Sequence, residues 1–325
     1  MRGIIHRLSG GLIPLIGLIV VLAVLPVAGV PRSWLLYLLL FFIYLAMANM
    51  WNLLCGYSGL ISLCQPAFIG LAGYTLVIWA WHGLPIYLGM VLGAIVAALF
   101  ALLISIPVFR LSGIYFAIGT LVVPEALKYV FLVWRPIGKS IHGGGAGYIL
   151  KGASDFSTPD VYWLALGLVI ASGLCLRIVL RSRLGLGLAA IRDNDRTAAS
   201  SGIDVFKSKL YSFVISAFVT GLAGTIFYTY QSYIEPNSAF SVKWTMILIL
   251  ATVMGGMGTE GGPIIGTIIV VFLHFLLARY AGISLIIQGT LLVIIMLLVP
   301  EGITGFIRKT RAYRSLLQLA TMRAS

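Results

Sequence analysis

The chain has 325 residues, of which 60% are hydrophobic and 10% are charged, and its mean hydropathy is +1.06. A soluble protein of this size could not bury so much apolar surface, so the composition excludes a water-soluble globular fold and predicts an all-α polytopic membrane protein. The net charge of +13 would suggest nucleic-acid binding in a soluble protein, but here the basic residues lie mostly at the ends of apolar runs. We therefore expect contact with membrane lipid and none with nucleic acid.

Apolar runs long enough to cross a lipid bilayer follow one another along the chain. In order, they lie at about 11–30, 33–54, 58–81, 85–109, 113–134, 161–180, 210–230, 244–259, 262–281 and 284–303. The first run is longer than the apolar core of a signal peptide, so we expect it to remain as a span. Glycine and proline interrupt the chain near 55–82 and 254–266, where we expect broken or re-entrant segments. The sequence thus predicts one transmembrane domain over residues 1–325, with about 8–10 membrane-spanning helices.

The distribution of lysine and arginine predicts the orientation of the spans. Ten crossings put both termini on one side, and the faces on that side then carry fourteen basic residues against six on the other. Because cytoplasmic loops carry the excess of positive charge, we expect both termini and the polar loop at 181–209 in the cytoplasm. The basic tail at 308–325 would then lie where it can contact anionic lipid headgroups.

Polar side chains at membrane depth mark the stretch from residue 49 to residue 75, which four glycines and Pro66 interrupt. Irregular backbone within a membrane is tolerated only when it is buried in protein or lines a water-filled cavity. One interpretation is a kinked helix whose hydroxyls and amides bond their neighbours, and the other is a cavity wall that touches a passing solute. For the second interpretation, the candidate pathway residues are Asn52, Ser58, Ser62, Gln65 and Phe68, together with Gly255 and Gly256 of the later glycine-rich loop.

Two charged residues lie in the middle of the fifth predicted span. Each of Glu125 and Lys128 would cost roughly 2.5–3.5 kcal/mol there if it were alone. Their i, i+3 spacing places them on one helix face, where pairing offsets part of that cost. We predict an ion pair, which serves either as a structural element or as part of the solute pathway.

The loop at 181–209 is polar and holds six of the 22 Lys and Arg residues. Asp193 or Asn194 can cap a short helix there, and Gly202 sits where that helix would end. A helix of about seven residues is too short to be stable alone, and its small residues offer little side chain to pack against the rest of the protein. We therefore expect a partner groove to hold it. The residues expected at this contact are Arg192, Asp193, Asn194, Asp195, Arg196, Ala198, Ala199 and Gly202.

The sequence carries no motif of a catalytic or metal site. Walker, HExxH and GxSxG motifs are absent, and the glycine run at 143–147 lacks the Lys-Ser/Thr of a phosphate-binding loop. Cys55, Cys64 and Cys175 lie in apolar segments without metal-binding spacing. We expect no catalytic residue, no metal and no cofactor bound by this chain.

Six motifs occur in a fixed order along nearly the whole chain. They are NLLCGYSGLISLCQPAFIGLAGYT at 52–75, GTLVVPEALKY at 119–129, HGGGAG at 142–147, RSRLGLGLAAIRDNDRTAASSGIDVFKSKL at 181–210, GGMGTEGGPIIG at 255–266 and PEGITGFI at 300–307. In this order they resemble the permease subunits of branched-chain amino-acid ABC transporters of the Liv type, and more closely the M-type subunit than its shorter partner. Several positions depart from the family pattern. Cys64 replaces a Gly or Ala, Ala72 and Gly73 stand in reversed order, Lys128 and Leu186 each replace an Arg, and Glu260 stands where bulky apolar residues are common.

The resemblance implies the fold and the partners of an ABC importer permease in the bacterial cytoplasmic membrane. The expected partners are a second permease subunit, two ATP-binding subunits that hold ATP–Mg, and an extracytoplasmic solute-binding protein. The 181–209 loop would be the coupling segment that docks in the ATPase cleft, and the expected solutes are leucine, isoleucine and valine. Transport of urea or a short-chain amide by a sister permease stays open. So do an ion-coupled secondary transporter and a purely structural membrane subunit.

Overall fold

The computed structural model describes residues 17–135, 144–277, 286–287, 289–290, 293–294 and 302–309. Within these residues, six helices are long and apolar enough to cross a membrane, and a shorter apolar helix follows them. This architecture confirms the predicted all-α, polytopic membrane protein. The predicted spans at 11–30, 262–281 and 284–303 extend outside the described residues, as does most of the basic tail.

Helices make up most of the described chain. In chain order they are α1 (17–24), α2 (Arg32–Asn52), α3 (Gln65–Trp81), α4 (Ile86–Val108), α5 (Ile114–Val133), α6 (Thr158–Arg181), α7 (Arg183–Asp193), α8 (Asp195–Ser200), α9 (Val205–Gln231), α10 (Pro236–Ala239), α11 (Val242–Gly255), α12 (Gly262–Leu277) and α13 (Gly302–Lys309). A two-stranded antiparallel sheet pairs β1 (Tyr148–Ile149) with β2 (Tyr233–Ile234). Neither this sheet nor α7 is among the elements predicted from the sequence.

Small residues allow the central helices to approach one another closely. Helix α4 packs along both α3 and α9. A Cβ built on Gly93 would lie 2.7 Å from the carbonyl oxygen of Ala72, and one built on Gly221 would lie 2.7 Å from the Cβ of Ala97. Close helix contacts of this kind are typical of membrane proteins, where packing rather than water exclusion holds the helices together.

Helix α2 is interrupted before the next span begins. It widens into a π-helical turn at Leu53–Tyr57, and residues 59–64 then lack regular structure until α3 starts at Gln65. Pro66 lies in the first turn of α3, where its missing N–H leaves no helical hydrogen bond unmade. The structure confirms the predicted interruption and limits the helical part of the 58–81 run to α3.

A second interruption separates α11 from α12. Residues 256–261 form a tight loop in which Gly256 has φ +119° and Gly258 has φ +72°. Residues with a side chain rarely adopt these backbone angles, which explains the glycines at both positions. The break predicted at 254–266 is thereby confirmed.

The two ends of the bundle carry different structures. The sheet of β1 and β2 lies near the start of α6, whereas α7 and α8 follow the end of that helix. Because α6 is long enough to cross a membrane, the sheet and the short helices lie toward opposite membrane surfaces. Both helix breaks lie at the end of the bundle that carries α7 and α8.

Candidate functional site

The two helix breaks meet at one side chain, that of Asn52 at the end of α2. Its Nδ2 donates to the carbonyl oxygen of Thr259 at 3.0 Å, and its Oδ1 accepts from the backbone N–H of Gly258 at 2.8 Å. Asn52 is fully buried, so both halves of its amide are satisfied by the loop between α11 and α12. The end of α2 and the 256–261 loop are therefore held together as one unit.

The start of α13 joins this unit through a second set of hydrogen bonds. Thr304 Oγ1 donates to the carbonyl oxygen of Gly255 at 2.6 Å and lies 3.3 Å from Thr259 Oγ1. Thr259 in turn donates to Gly256 and accepts from the N–H of Gly262 at the start of α12. We call residues 52–58, 255–262 and 302–304 the glycine junction.

Helices α7 and α8 form a short segment beside the glycine junction, and we call residues 183–202 the docking segment. Asn194 caps α8, since its Oδ1 accepts from the backbone N–H groups of Arg196 and Thr197 at 3.0 and 3.1 Å. Gly202, with φ +85°, follows the last turn. Of the two N-caps predicted, the structure confirms Asn194 and places Asp193 at the end of α7.

The docking segment is anchored to its own chain more firmly than the sequence analysis predicts. Ala198 is buried, so the expectation that the small residues of α8 do not pack against the protein is wrong at this position, whereas Ala199 is exposed as expected. Asp195 pairs with Lys209 of α9 at 2.5 Å. At the start of α9, the carboxylate of Asp204 accepts the backbone N–H of Lys207, and this hydrogen bond keeps the pKa of Asp204 below its usual value.

One side chain links the docking segment to the glycine junction. The guanidinium of Arg192, in the last turn of α7, donates to the carbonyl oxygen of Gly56 at 2.5 Å. A cleft of about 580 Å³ lies beside this contact. Its polar lining includes Ser58, Arg110, Arg192, Asp193, Asn194, Asp195, Arg196 and Lys209.

The pathway residues predicted in the 52–68 stretch lie inside the bundle. Ser58 donates to the carbonyl oxygen of Leu54 at 2.6 Å, and Phe68 packs edge-on against Phe213. Gln65 is fully buried, and its Nε2 donates to Ser216 at 3.4 Å while its Oε1 has no hydrogen-bond partner among the described residues.

The remaining predicted pathway residues of this part of the chain are also engaged within the protein. Ser62 is fully buried and accepts the indole N–H of Trp51 through its carbonyl oxygen at 2.9 Å. Gly255 and Gly256 are buried within the glycine junction. These contacts favour the interpretation in which polar groups bond their neighbours, and a role in the pathway stays a prediction for each residue.

The predicted ion pair on α5 is confirmed, since Lys128 Nζ contacts Glu125 Oε2. Both side chains keep some exposure, 20% for Lys128 and 36% for Glu125, because they border a cavity of about 420 Å³. Among the described residues, the other lining positions are Asn237, Ser241, Val242, Lys243, Met246 and Ile286.

Sequence reasoning missed three polar residues that the structure places at these two sites. Thr259 and Thr304 belong to the GGMGT and PEGITG motifs, so their positions in glycine-rich turns were a usable signal. Lys243 gave no such signal, because it is distant in sequence from Glu125 and Lys128. Within the described part of the chain, no group of three His, Cys, Asp or Glu side chains could hold a metal ion.

Six helices that can cross a membrane, two breaks inside the bundle and a buried polar junction define a multi-pass membrane protein. Comparison with known proteins identifies the family. Residues 33–300 match the model described as branched-chain amino acid transport system / permease component, and the chain belongs to this family.

Relatives of known name cover most of the chain. The high-affinity branched-chain amino acid transport system permease proteins LivM of Salmonella typhimurium and Escherichia coli are each 28% identical to it, over 82% of this chain and 68% of the relative. The probable branched-chain amino acid transport permease protein LivM of Methanocaldococcus jannaschii is 26% identical over 68% of this chain and 67% of its own length. No solved structure matches the chain.

Proposed function

We propose that this chain is the membrane translocation subunit of an ATP-driven importer for branched-chain amino acids. The observation that carries the proposal is the similarity to LivM permeases over 82% of the chain. The family match at 33–300 spans both helix breaks and the docking segment. The solute of those relatives, as their names state it, is a branched-chain amino acid. Leucine, isoleucine and valine are thus the solutes to test first.

The proposed complex contains a second permease subunit, two ATP-binding subunits and an extracytoplasmic solute-binding protein. ATP–Mg binds to the ATP-binding subunits, and this chain supplies no catalytic residue. The docking segment occupies a cleft of one ATP-binding subunit. Helix α8 suits a cleft because it exposes the small side chain of Ala199 and carries charged residues that can pair with the partner. Closure of the ATP-binding subunits moves this segment, and the spans then open the pathway to the other face.

The proposed location is the bacterial cytoplasmic membrane, with both termini and the docking segment in the cytoplasm. The excess of basic residues on that face supports this orientation. The sheet of β1 and β2 then lies toward the extracytoplasmic surface, where the solute-binding protein would approach.

The solute pathway runs beside α5 in this proposal. Charged side chains exposed on a membrane-spanning helix are costly against lipid, so the face with Glu125 and Lys128 is directed toward the second permease and a water-filled path. The cavity at this face suits a zwitterion with an aliphatic side chain. Lys243 has no ion-pair partner among the described residues and can bind a carboxylate, Glu125 can bind an ammonium group, and Met246 offers apolar contact.

Purification from native membranes tests the proposal. The tagged full-length chain, extracted in a mild detergent, is expected to bring with it a second permease and two ATP-binding chains. After reconstitution with the solute-binding protein, this complex is expected to take up leucine only when ATP is supplied on the docking-segment side. A chain that purifies alone and moves solute down an ion gradient would contradict the proposal, and ATP-driven uptake of urea without leucine uptake would correct the solute.

A further inference from the structure

The contact between Arg192 and Gly56 lies where a helix end leaves a carbonyl group in need of a donor. Gly56 belongs to the π-helical turn that ends α2, and the last carbonyl groups of a helix have no partner within it. The Arg192 guanidinium supplies a charged donor there at 2.5 Å, and a cation at a helix C-terminus also interacts favourably with the helix dipole. The donor comes from an element 136 residues further along the chain.

The same guanidinium also lies against the second helix break. A Cβ built on Gly258 would be 2.8 Å from Arg192 Nη1, so only glycine permits the approach seen at this position. A Cβ built on Gly59 would be 3.5 Å from Arg192 Cα, which shows that the α7 backbone is close as well. Arg192 thus contacts both interruptions of the bundle, although the residue as a whole stays exposed.

The contact continues through the glycine junction by hydrogen bonds. Gly258 is bonded to Asn52, which also holds Thr259. Thr259 contacts Thr304, and Thr304 donates to Gly255. A displacement of Arg192 therefore reaches the ends of α2 and α11 and the starts of α12 and α13 through directly bonded groups.

Only Asp193 and Asn194 separate Arg192 from the first residue of α8. Asn194, the N-cap of α8, follows Arg192 by two residues, and Asp195 is held to α9 by Lys209. A force on α8 is consequently applied close to the Arg192 backbone. The side chain of Arg192 thus connects the docking segment to the glycine junction by a hydrogen bond.

We propose that Arg192 is a positioning residue that transmits movement of the docking segment to the glycine junction. The inference rests on the proposed function, since the movement comes from the ATP-binding subunits. Arginine suits this role because its planar fork of donors reaches a carbonyl while staying charged, whereas lysine provides a single mobile ammonium group. In this role Arg192 contacts the helix breaks of its own chain, whereas other residues of the docking segment contact the ATP-binding subunit.

Hydrogen–deuterium exchange of the full complex in lipid nanodiscs tests this role. Exchange is compared between the nucleotide-free complex and the complex trapped with ATP–Mg and orthovanadate. In the native complex we expect trapping to change exchange both at 195–202 and at 254–261, which contains the Gly258 amide bonded to Asn52. In Arg192→Met the change at 195–202 is expected to persist and the change at 254–261 to be lost.

Arg32→Met is the control, because Arg32 lies at the start of α2, away from the docking segment and the glycine junction, and makes no hydrogen bond or ion pair with the described residues. Its complex is expected to respond as the native one does. The second readout is the number of ATP molecules hydrolysed per leucine transported, which we expect to rise about tenfold in Arg192→Met and to stay unchanged in the control.

The outcomes separate this inference from the proposed function. A response at 254–261 that survives in Arg192→Met overturns the role of Arg192, and so does an unchanged ratio of hydrolysis to transport. No response at 195–202 in the native complex contradicts docking itself. Arg192→Lys keeps the charge and is expected to assemble with weakened transmission. If neither variant assembles, the contact is only structural and the inference is overturned.

Discussion

Glu125 and Lys128 are charged residues on a helix that can span the membrane, where charge is energetically costly. They pair with each other on α5, yet both remain partly exposed, and much of the rest of that helix surface consists of exposed large apolar side chains such as Val122 and Val130. Charged side chains exposed to lipid are costly, so the exposed side of this pair is expected to face water or another polar surface. The exposure of this pair beside a cavity that also contains Lys243 favours contact with a solute.

Lys128 holds the carboxylate of Glu125, which is proposed to bind the ammonium group of the solute. Replacing Lys128 with methionine is expected to lower leucine uptake by about ten- to hundredfold, because a hydrogen bond to a charged group contributes roughly 1.5–3 kcal/mol. Folded yield, measured by size-exclusion chromatography of the complex, is expected to stay near the native value. Lys151→Met is the control, since Lys151 lies 3.8 Å from the Trp81 ring and away from this cavity. Loss of uptake in proportion to folded yield would instead make the pair structural.

The ion pair on α5 and the glycine junction differ in how far the sequence could predict them. The pairing of Glu125 with Lys128 follows from i, i+3 spacing on one helix, which is local information. The bond between Asn52 and Thr259 joins residues 207 positions apart, and no periodicity connects them. The sequence marks Asn52 as a costly polar residue, but only the folded chain shows that the residue bonds another helix break.

At the scale of elements, the docking segment shows how a short helix becomes stable. Helix α8 has six residues, fewer than an isolated helix needs. Its N-cap, the burial of Ala198 and the ion pair between Asp195 and Lys209 hold it against α7 and α9. The segment is therefore formed before any partner binds, which reduces the ordering cost of docking.

The adjacent alanines of α8 allow a paired test of docking. Ala199→Trp places a large side chain on the exposed surface, so we expect a folded chain whose leucine uptake falls about tenfold relative to ATP hydrolysis. Ala198→Trp forces the same side chain into a packed position, which typically costs about 1–3 kcal/mol and is expected to lower folded yield.

Measurement of uptake, ATP hydrolysis and thermal stability on the same preparations distinguishes the two effects. Native coupling in Ala199→Trp would contradict docking through this surface. Native stability in Ala198→Trp would show that α8 is less firmly packed than its buried alanine indicates.

Helix α7 illustrates why parts of the segment escape prediction. Gly185 and Gly187 disfavour a helix, so local preference alone predicts a loop there. In the structure both glycines are buried, and a Cβ on Gly185 would meet the carbonyl oxygen of Leu180 at 2.5 Å. Close packing against the end of α6 outweighs the weak propensity, and such packing is not visible in the sequence.

At the scale of the whole molecule, composition predicts the bundle of membrane-spanning helices. The breaks near 55–82 and 254–266 were also predictable, since glycine and proline interrupt helices. Their meeting in one junction depends on the arrangement of α2, α11, α12 and α13, which sequence spacing does not specify. The architecture thus places the docking segment and both breaks at one end and the small sheet at the other.

The proposed orientation predicts which end faces the cytoplasm. Lys151→Cys near β1 and Ala199→Cys in α8, each in a chain whose native cysteines are replaced by alanine, place single thiols toward opposite membrane surfaces. In intact cells, a membrane-impermeant maleimide is expected to label the cysteine at 151 and to spare the one at 199. In cells that lack the ATP-binding subunits, which would otherwise cover α8, both are expected to react after permeabilisation, which controls for thiol accessibility. The reverse pattern would place the docking segment outside the cell, beyond the reach of ATP-binding subunits, and would contradict the importer as proposed.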